Sequence, residues 1–334
     1  MTLAFLRRLL YLSLPSVLLS LTVFEGGLRL FGYTPYYLNG NAFIPSPNPN
    51  LVYELRPKFK GLYAGVPISI NSHGFRGREV DNDPIKSGFR VVVVGDSIAF
   101  GQGIHEQETL AAQLERELRS SSERAAEVVN LGVPTYNTCQ EYTRFKEYAL
   151  PLQPSVAVVV YVDNDPDPPL LHIKDSRVIS TDVRTGWFGD FMAELRKYSA
   201  VYNLVWTRWQ LVKNRTLSVE YYREMLEKKF DADSPGWKSS RRCLAELIAL
   251  AQAKFIRVVV IPFPALGGLA ATPYPFERYI RTVCEAVRLA RAECLDVTPA
   301  LQQLRTSLTV SSVENHPSAA VYERVAEVVA KLIL

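Results

Sequence analysis

From residue 89 onward the hydrophobic positions switch repeatedly between two periods. The stretches "RVVVVG" (90–95), "AEVVNLG" (126–132), "SVAVVVYV" (155–162), "IRVVVIPF" (256–263) and "ECLDV" (293–297) are short, β-branched and almost continuously apolar, and they read as strands. Strands with no polar face belong in the middle of a sheet covered on both sides. Between them, "ETLAAQLERELRSS" (108–121), "TCQEYTRFKEYALPL" (138–152), "RRCLAELIALAQAK" (241–254) and "ERYIRTVCEAVRLARA" (277–292) repeat their apolar residues at helical spacing. The chain closes on "PSAAVYERVAEVVAKLIL", an amphipathic helix begun by a proline. Five strands separated by helices imply right-handed crossovers and a mostly parallel sheet between helical layers.

Outside this alternation the pattern differs. Leu9 to Phe24 is an uncharged, mostly apolar run of 16 residues preceded by Arg7 and Arg8. A spanning helix wants about 20 residues, which Leu3 to Leu6 and snorkelling arginines can supply. No small-x-small cleavage site follows, and positive charge before the run predicts an uncleaved membrane anchor with the body outside the cytoplasm. Residues 1–32 are therefore expected to be an anchor, and 33–88 a stalk rich in Pro, Asn and Tyr with a small β-rich prelude around "VPISINSHGFRG". Residues 89–334 form the main domain. The alternation lapses between about 165 and 237, a stretch holding Trp187, Trp206, Trp209 and Trp237. That is too long for one connecting loop and predicts an inserted helical cap.

Composition narrows the class. At 334 residues, with 48% hydrophobic and 22% charged residues, the chain is globular and large enough to fold without covalent help. The net charge of +4 comes from scattered Lys and Arg, with no basic stripe to suit a nucleic acid. Cys139, Cys243, Cys284 and Cys294 lack C-x-x-C spacing and neighbouring histidines, which excludes a zinc signature. They read as small buried hydrophobes, with a Cys284–Cys294 bridge open to an extracytoplasmic domain.

Candidate chemistry comes from the carboxyl ends of the strands, where open parallel sheets bind ligands. Those ends carry Gly95-Asp96-Ser97, then Asn130 to Asn137, then Asp163-Asn164-Asp165, then Asp296, with Glu314-Asn315-His316 just before the last helix. A serine hydroxyl needs an adjacent base to attack a carbonyl, and His316 is the best placed of the four histidines. Glu314 sits two residues before it and can hold the imidazole in one tautomer. The Ser97 N–H, an N–H of the "GVPT" turn and the Asn164 amide are candidate donors to an oxyanion. The competing reading of Ser97 is a plain helix cap, with Asp96 a turn acid. His73, His105 and His172 have no partner pattern, and Arg76 and Arg78 read as solvated surface residues that an anionic substrate can also meet.

The chain resembles a GDSL-type, or SGNH, hydrolase. Gly95-Asp96-Ser97 matches the family's first block, "NLGVPTYNT" its second, Asn164-Asp165 its third, and "ENHPSAAVYERVA" its last. With the N-terminal run, "INSHGFRG" and "FGQGI", it is similar to a membrane-tethered bacterial branch. The resemblance implies a flavodoxin-like three-layer α/β sandwich with a five-stranded sheet. It also implies an extracytoplasmic serine esterase that hydrolyses, or transfers, a small acyl group such as acetyl on a glycan, lipid or small ester. Ser97 is then the nucleophile, His316 the base and later the acid, and Glu314 its orienting carboxylate. The oxyanion is held by Ser97, Thr135 and Asn164, with no metal or organic cofactor. Two positions depart from the pattern: Thr135 replaces a glycine, and Val313 stands where the family's aspartate most often falls, leaving Glu314, or Asp296 as a fallback. Ala99 in place of the second glycine argues against the G-x-S-x-G elbow of α/β-hydrolases. A catalytically weak relative that binds polysaccharide or scaffolds an envelope complex, and an acyltransferase with a water-excluding aromatic insertion, stay open at this level.

Overall fold

The computed structural model describes residues 3–33, 40–80, 89–121, 126–174, 177–180, 191–192, 195, 198–214, 218–310 and 315–334. Helix α1 (Leu3–Leu30) precedes two antiparallel hairpins, β1 (Phe43–Pro45) with β2 (Tyr53–Leu55) and β3 (Lys60–Tyr63) with β4 (Val66–Ser69). Then follow β5 (Phe89–Gly95), α2 (Ser97–Phe100), α3 (Leu110–Ser121), β6 (Ala126–Asn130), α4 (Thr138–Arg144) and β7 (Val156–Tyr161). A third hairpin, β8 (Leu171–Lys174) with β9 (Arg177–Ser180), leads to α5 (Ala200–Asn214), α6 (Val219–Lys229) and α7 (Pro235–Gln252). The chain ends with β10 (Arg257–Pro262), α8 (Glu277–Leu289), β11 (Glu293–Cys294), α9 (Thr298–Leu301) and α10 (Ala319–Ile333).

The five strands expected from the apolar runs form one parallel sheet in the order β11-β10-β7-β5-β6. Val91 to Val94, Val156 to Tyr161 and Val258 to Ile261 are all buried, as strands covered on both faces must be. Helix α3 packs with α10 on one side of the sheet, and α4, α7 and α8 pack together on the other. This is the expected flavodoxin-like three-layer α/β sandwich. In sequence order the strands run 2-1-3-4-5, so the connections diverge between β5 and β7. A crevice opens beyond the carboxyl ends of strands at such a point.

The chain divides into two compact units. One comprises residues 1–38 and 183–216, and the other 39–182 and 217–334. In the first, Glu25 of α1 caps α5: its carboxylate accepts the N–H of Ala200 at 2.9 Å, the N–H of Val201 at 3.0 Å and the Ser199 hydroxyl at 3.1 Å. The aromatic residues of the expected insertion part company. Trp206 and Trp209 pack at 5.5 Å in this first unit, whereas Trp237 is buried in the core of the second against Tyr161 and Phe230. Trp187 lies outside the described residues.

Two sequence expectations are corrected here. The apolar run does fold as a helix, α1, but among the described residues no helix is long and apolar enough to cross a membrane. Ser13, Ser16, Ser20, Thr22 and Glu25 dilute its apolar content, and the Ser20 and Thr22 hydroxyls fold back onto carbonyls one turn earlier. The cysteines are not buried thiols. Cys139 of α4 is bonded to Cys243 of α7, and Cys284 of α8 to Cys294 of β11. The first bridge had no spacing signature because 104 residues separate its ends, which meet only once α4 and α7 share a face of the sheet.

Candidate active site

The turn after β5 separates the capping group of α2 from the Ser97 hydroxyl. Asp96, not Ser97, is the N-cap of α2, and its carboxylate accepts the Ile98 N–H at 2.9 Å. Ser97 is thereby the first helical residue, with a hydroxyl that the helix does not need. Its Oγ lies 2.7 Å from His316 Nε2 and 3.1 Å from Asp96 Oδ2. Asn164, from the turn after β7, donates its amide to the same Asp96 Oδ2 at 3.3 Å. The topological switch point thus brings Ser97 and Asn164 together through one shared carboxylate. His316 joins them from the loop before α10.

Sequence position alone did not mark Asp96 as more than a turn acid. It holds three donors at once, one of them the hydroxyl of the candidate nucleophile. That single proton cannot serve Asp96 and His316 together, and attack on a carbonyl needs it on the His316 side. Nδ1 of His316 faces the Gln102 side chain at 3.5 Å. Gln102 was also missed; its signal is only that it lies five residues after Ser97, on the turn that follows α2. Glu314 lies outside the described residues. Asp296 accepts the Thr298 N–H at 2.8 Å at the entry to α9.

The third strand end completes the site. Asn130 accepts the Gly132 N–H at 3.0 Å and donates to Phe100 O at 3.2 Å, tying the turn after β6 to α2. A Cβ on Gly132 would come within 2.2 Å of Phe100 N, so only glycine allows this approach. Thr135 follows with φ +66°, the left-handed conformation that glycine takes without strain. Among the described residues the backbone N–H groups of Ser97 and Thr135 donate to no acceptor. With Asn164 they form a set of donors of the kind an oxyanion requires.

Support for this edge comes, unexpectedly, from a buried charge. Arg76, expected at the surface, is buried, and its guanidinium donates to the carbonyls of Phe100, Gly101 and Ile104 while stacking 4.7 Å from the Phe100 ring. It holds the turn that carries Gln102. Arg78 stays at the surface, paired with Glu115 at 3.1 Å and Glu127 at 3.3 Å. His73 stacks on Phe75 and His105 opens a short 3-10 turn, whereas the side chain of His172 is not among those described.

Beneath the site lies a carboxyl pair. Both Glu141 oxygens and Asp165 Oδ1 are buried with no hydrogen-bond partner. Burial, with the nearby charge of Asp96, pushes the Glu141 carboxyl well up; burial, with the charges of Glu141 and Asp96, does the same to Asp165. A raised folded-state pKa means stability is complete below the unfolded carboxylate value and is lost as pH climbs above it. Glu141→Gln removes that dependence. Wild type should therefore lose stability relative to the variant as pH climbs from the unfolded carboxylate value toward the raised folded one. Urea midpoints of both proteins measured from pH 4 to 8 test this, and a difference flat in pH would contradict it.

The family described as "GDSL-like Lipase/Acylhydrolase family" matches residues 93–324. No curated protein matches the chain. Among solved structures, a lipase/acylhydrolase from Enterococcus faecalis is 15% identical with a TM-score of 0.43, covering 73% of this chain and 95% of its own. A catalytic mutant of an acetylxylan esterase from Geobacillus stearothermophilus is 16% identical with a TM-score of 0.41, covering 74% of this chain and 94% of its own. An acetyl xylan esterase is 14% identical with a TM-score of 0.44, covering 73% of this chain and all of its own.

Proposed function

This chain belongs to the GDSL-like lipase/acylhydrolase family, an ester-bond hydrolase family, and from that premise we propose that it removes a small acyl group, such as acetyl, from an extracytoplasmic glycan or lipid. The observation that carries the mechanism is the 2.7 Å contact between Ser97 Oγ and His316 Nε2. Ser97 attacks the ester carbonyl as its proton passes to His316. The developing oxyanion is held by the N–H groups of Ser97 and Thr135 and by the Asn164 amide. His316 then returns the proton to the leaving alcohol, and water repeats the sequence on the acyl-enzyme. Glu314 is the proposed acid partner of His316, and Gln102 stands on its Nδ1 side.

A small acyl group suits a nucleophile that is only 8% exposed. An extracytoplasmic setting suits a chain whose four cysteines are all paired, since disulfides persist in oxidising compartments. Membrane association through α1 suits the exposed Leu14, Val17, Leu18, Leu19, Val23 and Phe24 of that helix.

The test is hydrolysis of a series of esters of increasing acyl length by the full chain, alongside labelling by a serine-reactive phosphonate. Turnover that peaks at acetyl, with the label on Ser97, supports the reading. Labelling elsewhere, or turnover rising with chain length, overturns it. Fractionation of the expressing cells checks α1, which should carry the chain into the membrane pellet.

A further inference from the structure

The turn that carries Thr135 is held from outside the stretch matched by the family. Val133, Pro134, Thr135 and Tyr136 have the marks of a type II turn: proline second, a positive φ third, and a Tyr136 N–H to Val133 O bond of 3.2 Å. The third position of such a turn favours glycine, and a β-branched residue there is a genuine outlier. Conformations of this kind persist only where the surroundings over-determine them.

Those surroundings are supplied by Tyr53 of β2, which is fully buried. Its hydroxyl lies 2.9 Å from Pro134 O and 2.6 Å from Thr135 Oγ1. A phenol has one proton and a carbonyl can only accept. Tyr53 therefore donates to Pro134 O and accepts the proton of Thr135. Burial pushes the phenol pKa well up, which keeps that proton in place. The contact is returned, because Tyr136 OH donates to Tyr53 O and the two rings meet edge-on at 5.1 Å. One turn on, Gln140 donates to Leu51 O at 2.7 Å. The Pro134 carbonyl and the Thr135 hydroxyl are thus both engaged by Tyr53, while the Thr135 N–H is left without an acceptor among the described residues.

We propose that Tyr53 is a positioning residue for the oxyanion site: a hydroxyl clamp that lets threonine hold the backbone conformation of glycine and keeps the Thr135 N–H directed to the reacting carbonyl. The inference rests on the esterase reading above for its consequence, and on the hydrogen bonds alone for its geometry.

Tyr53→Phe keeps the ring and its packing and removes only the proton. In the full chain it should lower kcat by about 10- to 100-fold with little change in KM, as loss of an oxyanion donor's alignment does. The same substitution in a Thr135→Gly background should cost no more than about threefold relative to Thr135→Gly alone, because glycine needs no clamp. A purely structural tyrosine would cost the same in both backgrounds, and that result, or an unchanged kcat in Tyr53→Phe, overturns the proposal. Hydrogen exchange at the Tyr136 amide gives a reading that needs no turnover, since its bond to Val133 O closes the turn. Exchange at least about tenfold faster in Tyr53→Phe, at unchanged global stability, supports the clamp, and unchanged exchange refutes it. Faster exchange in a chain that hydrolyses no ester would sink the esterase reading and leave the clamp standing.

Discussion

Ser97→Ala is expected to lower kcat by about 10³- to 10⁶-fold on any ester the wild-type chain turns over, the range seen when a serine acting with a histidine is removed. In the proposed mechanism the Ser97 hydroxyl is the group that forms the acyl bond. Asp96 takes the capping duty at Ile98 N, so the loss carries no helix penalty. Asp96 also keeps the Asn164 amide when the Ser97 hydroxyl is gone, and stability should fall by no more than about 1 kcal/mol. His316→Ala should lose a similar factor, and the double variant should be no worse than either alone, because the two groups act as a unit. Steady-state rates of the three variants, with thermal melts to confirm folding, decide the matter. Wild-type turnover surviving in Ser97→Ala would place the chemistry elsewhere.

Asn164→Ala is expected to cost about 10²- to 10³-fold in kcat with KM little changed, the effect of removing one side-chain oxyanion donor. In the resting structure this amide donates to Asp96 Oδ2 over a long 3.3 Å contact. A negatively charged tetrahedral oxygen can outcompete so long a bond, whereas a neutral ester carbonyl gains less, and this difference is what raises kcat rather than affinity. Asn164→Asp should be worse than alanine: it replaces the donor by an acceptor and sets a second carboxylate against Asp96. A rise in KM at constant kcat would instead make Asn164 a ground-state binding group.

Much of this arrangement was legible in the residues. Five β-branched runs pointed to the sheet because a parallel strand covered on both faces accommodates Val91 to Val94 in sequence. Ser97 and His316, 219 residues apart, could be paired because each follows a strand or precedes a helix whose direction the pattern already set. What escaped notice depends on side chains that contradict their own polarity. Arg76 sits in a polar stretch yet spends its guanidinium on three carbonyls inside the domain. Arg144 does likewise, donating to Leu131 O at 2.9 Å and to Gly74 O at 2.8 Å. No periodicity reveals a charge that is neutralised by peptide dipoles. Thr135 looked like damage to the oxyanion turn because the sequence gives its Cβ but not its φ. The partner that accommodates it, Tyr53, lies 82 residues earlier and outside any motif. Glu25 lies just beyond the apolar run that ends at Phe24, and its role as the cap of α5 needed the fold.

The bridge from Cys139 to Cys243 bears on how such a chain is made. Synthesis proceeds from the N-terminus, so Cys139 emerges long before its partner, and 104 residues must follow before the bond can close. Throughout that interval α4 and the turn before it, which carries Thr135, lack their covalent hold on α7. The more local Cys284–Cys294 pair, ten residues apart, has no such wait. Until Cys243 emerges, the chain therefore presents an unpaired Cys139 beside the turn that carries Thr135. An oxidant that reaches this thiol early can join it only to a partner other than Cys243, and thiol–disulfide exchange must then release it before the native bridge closes.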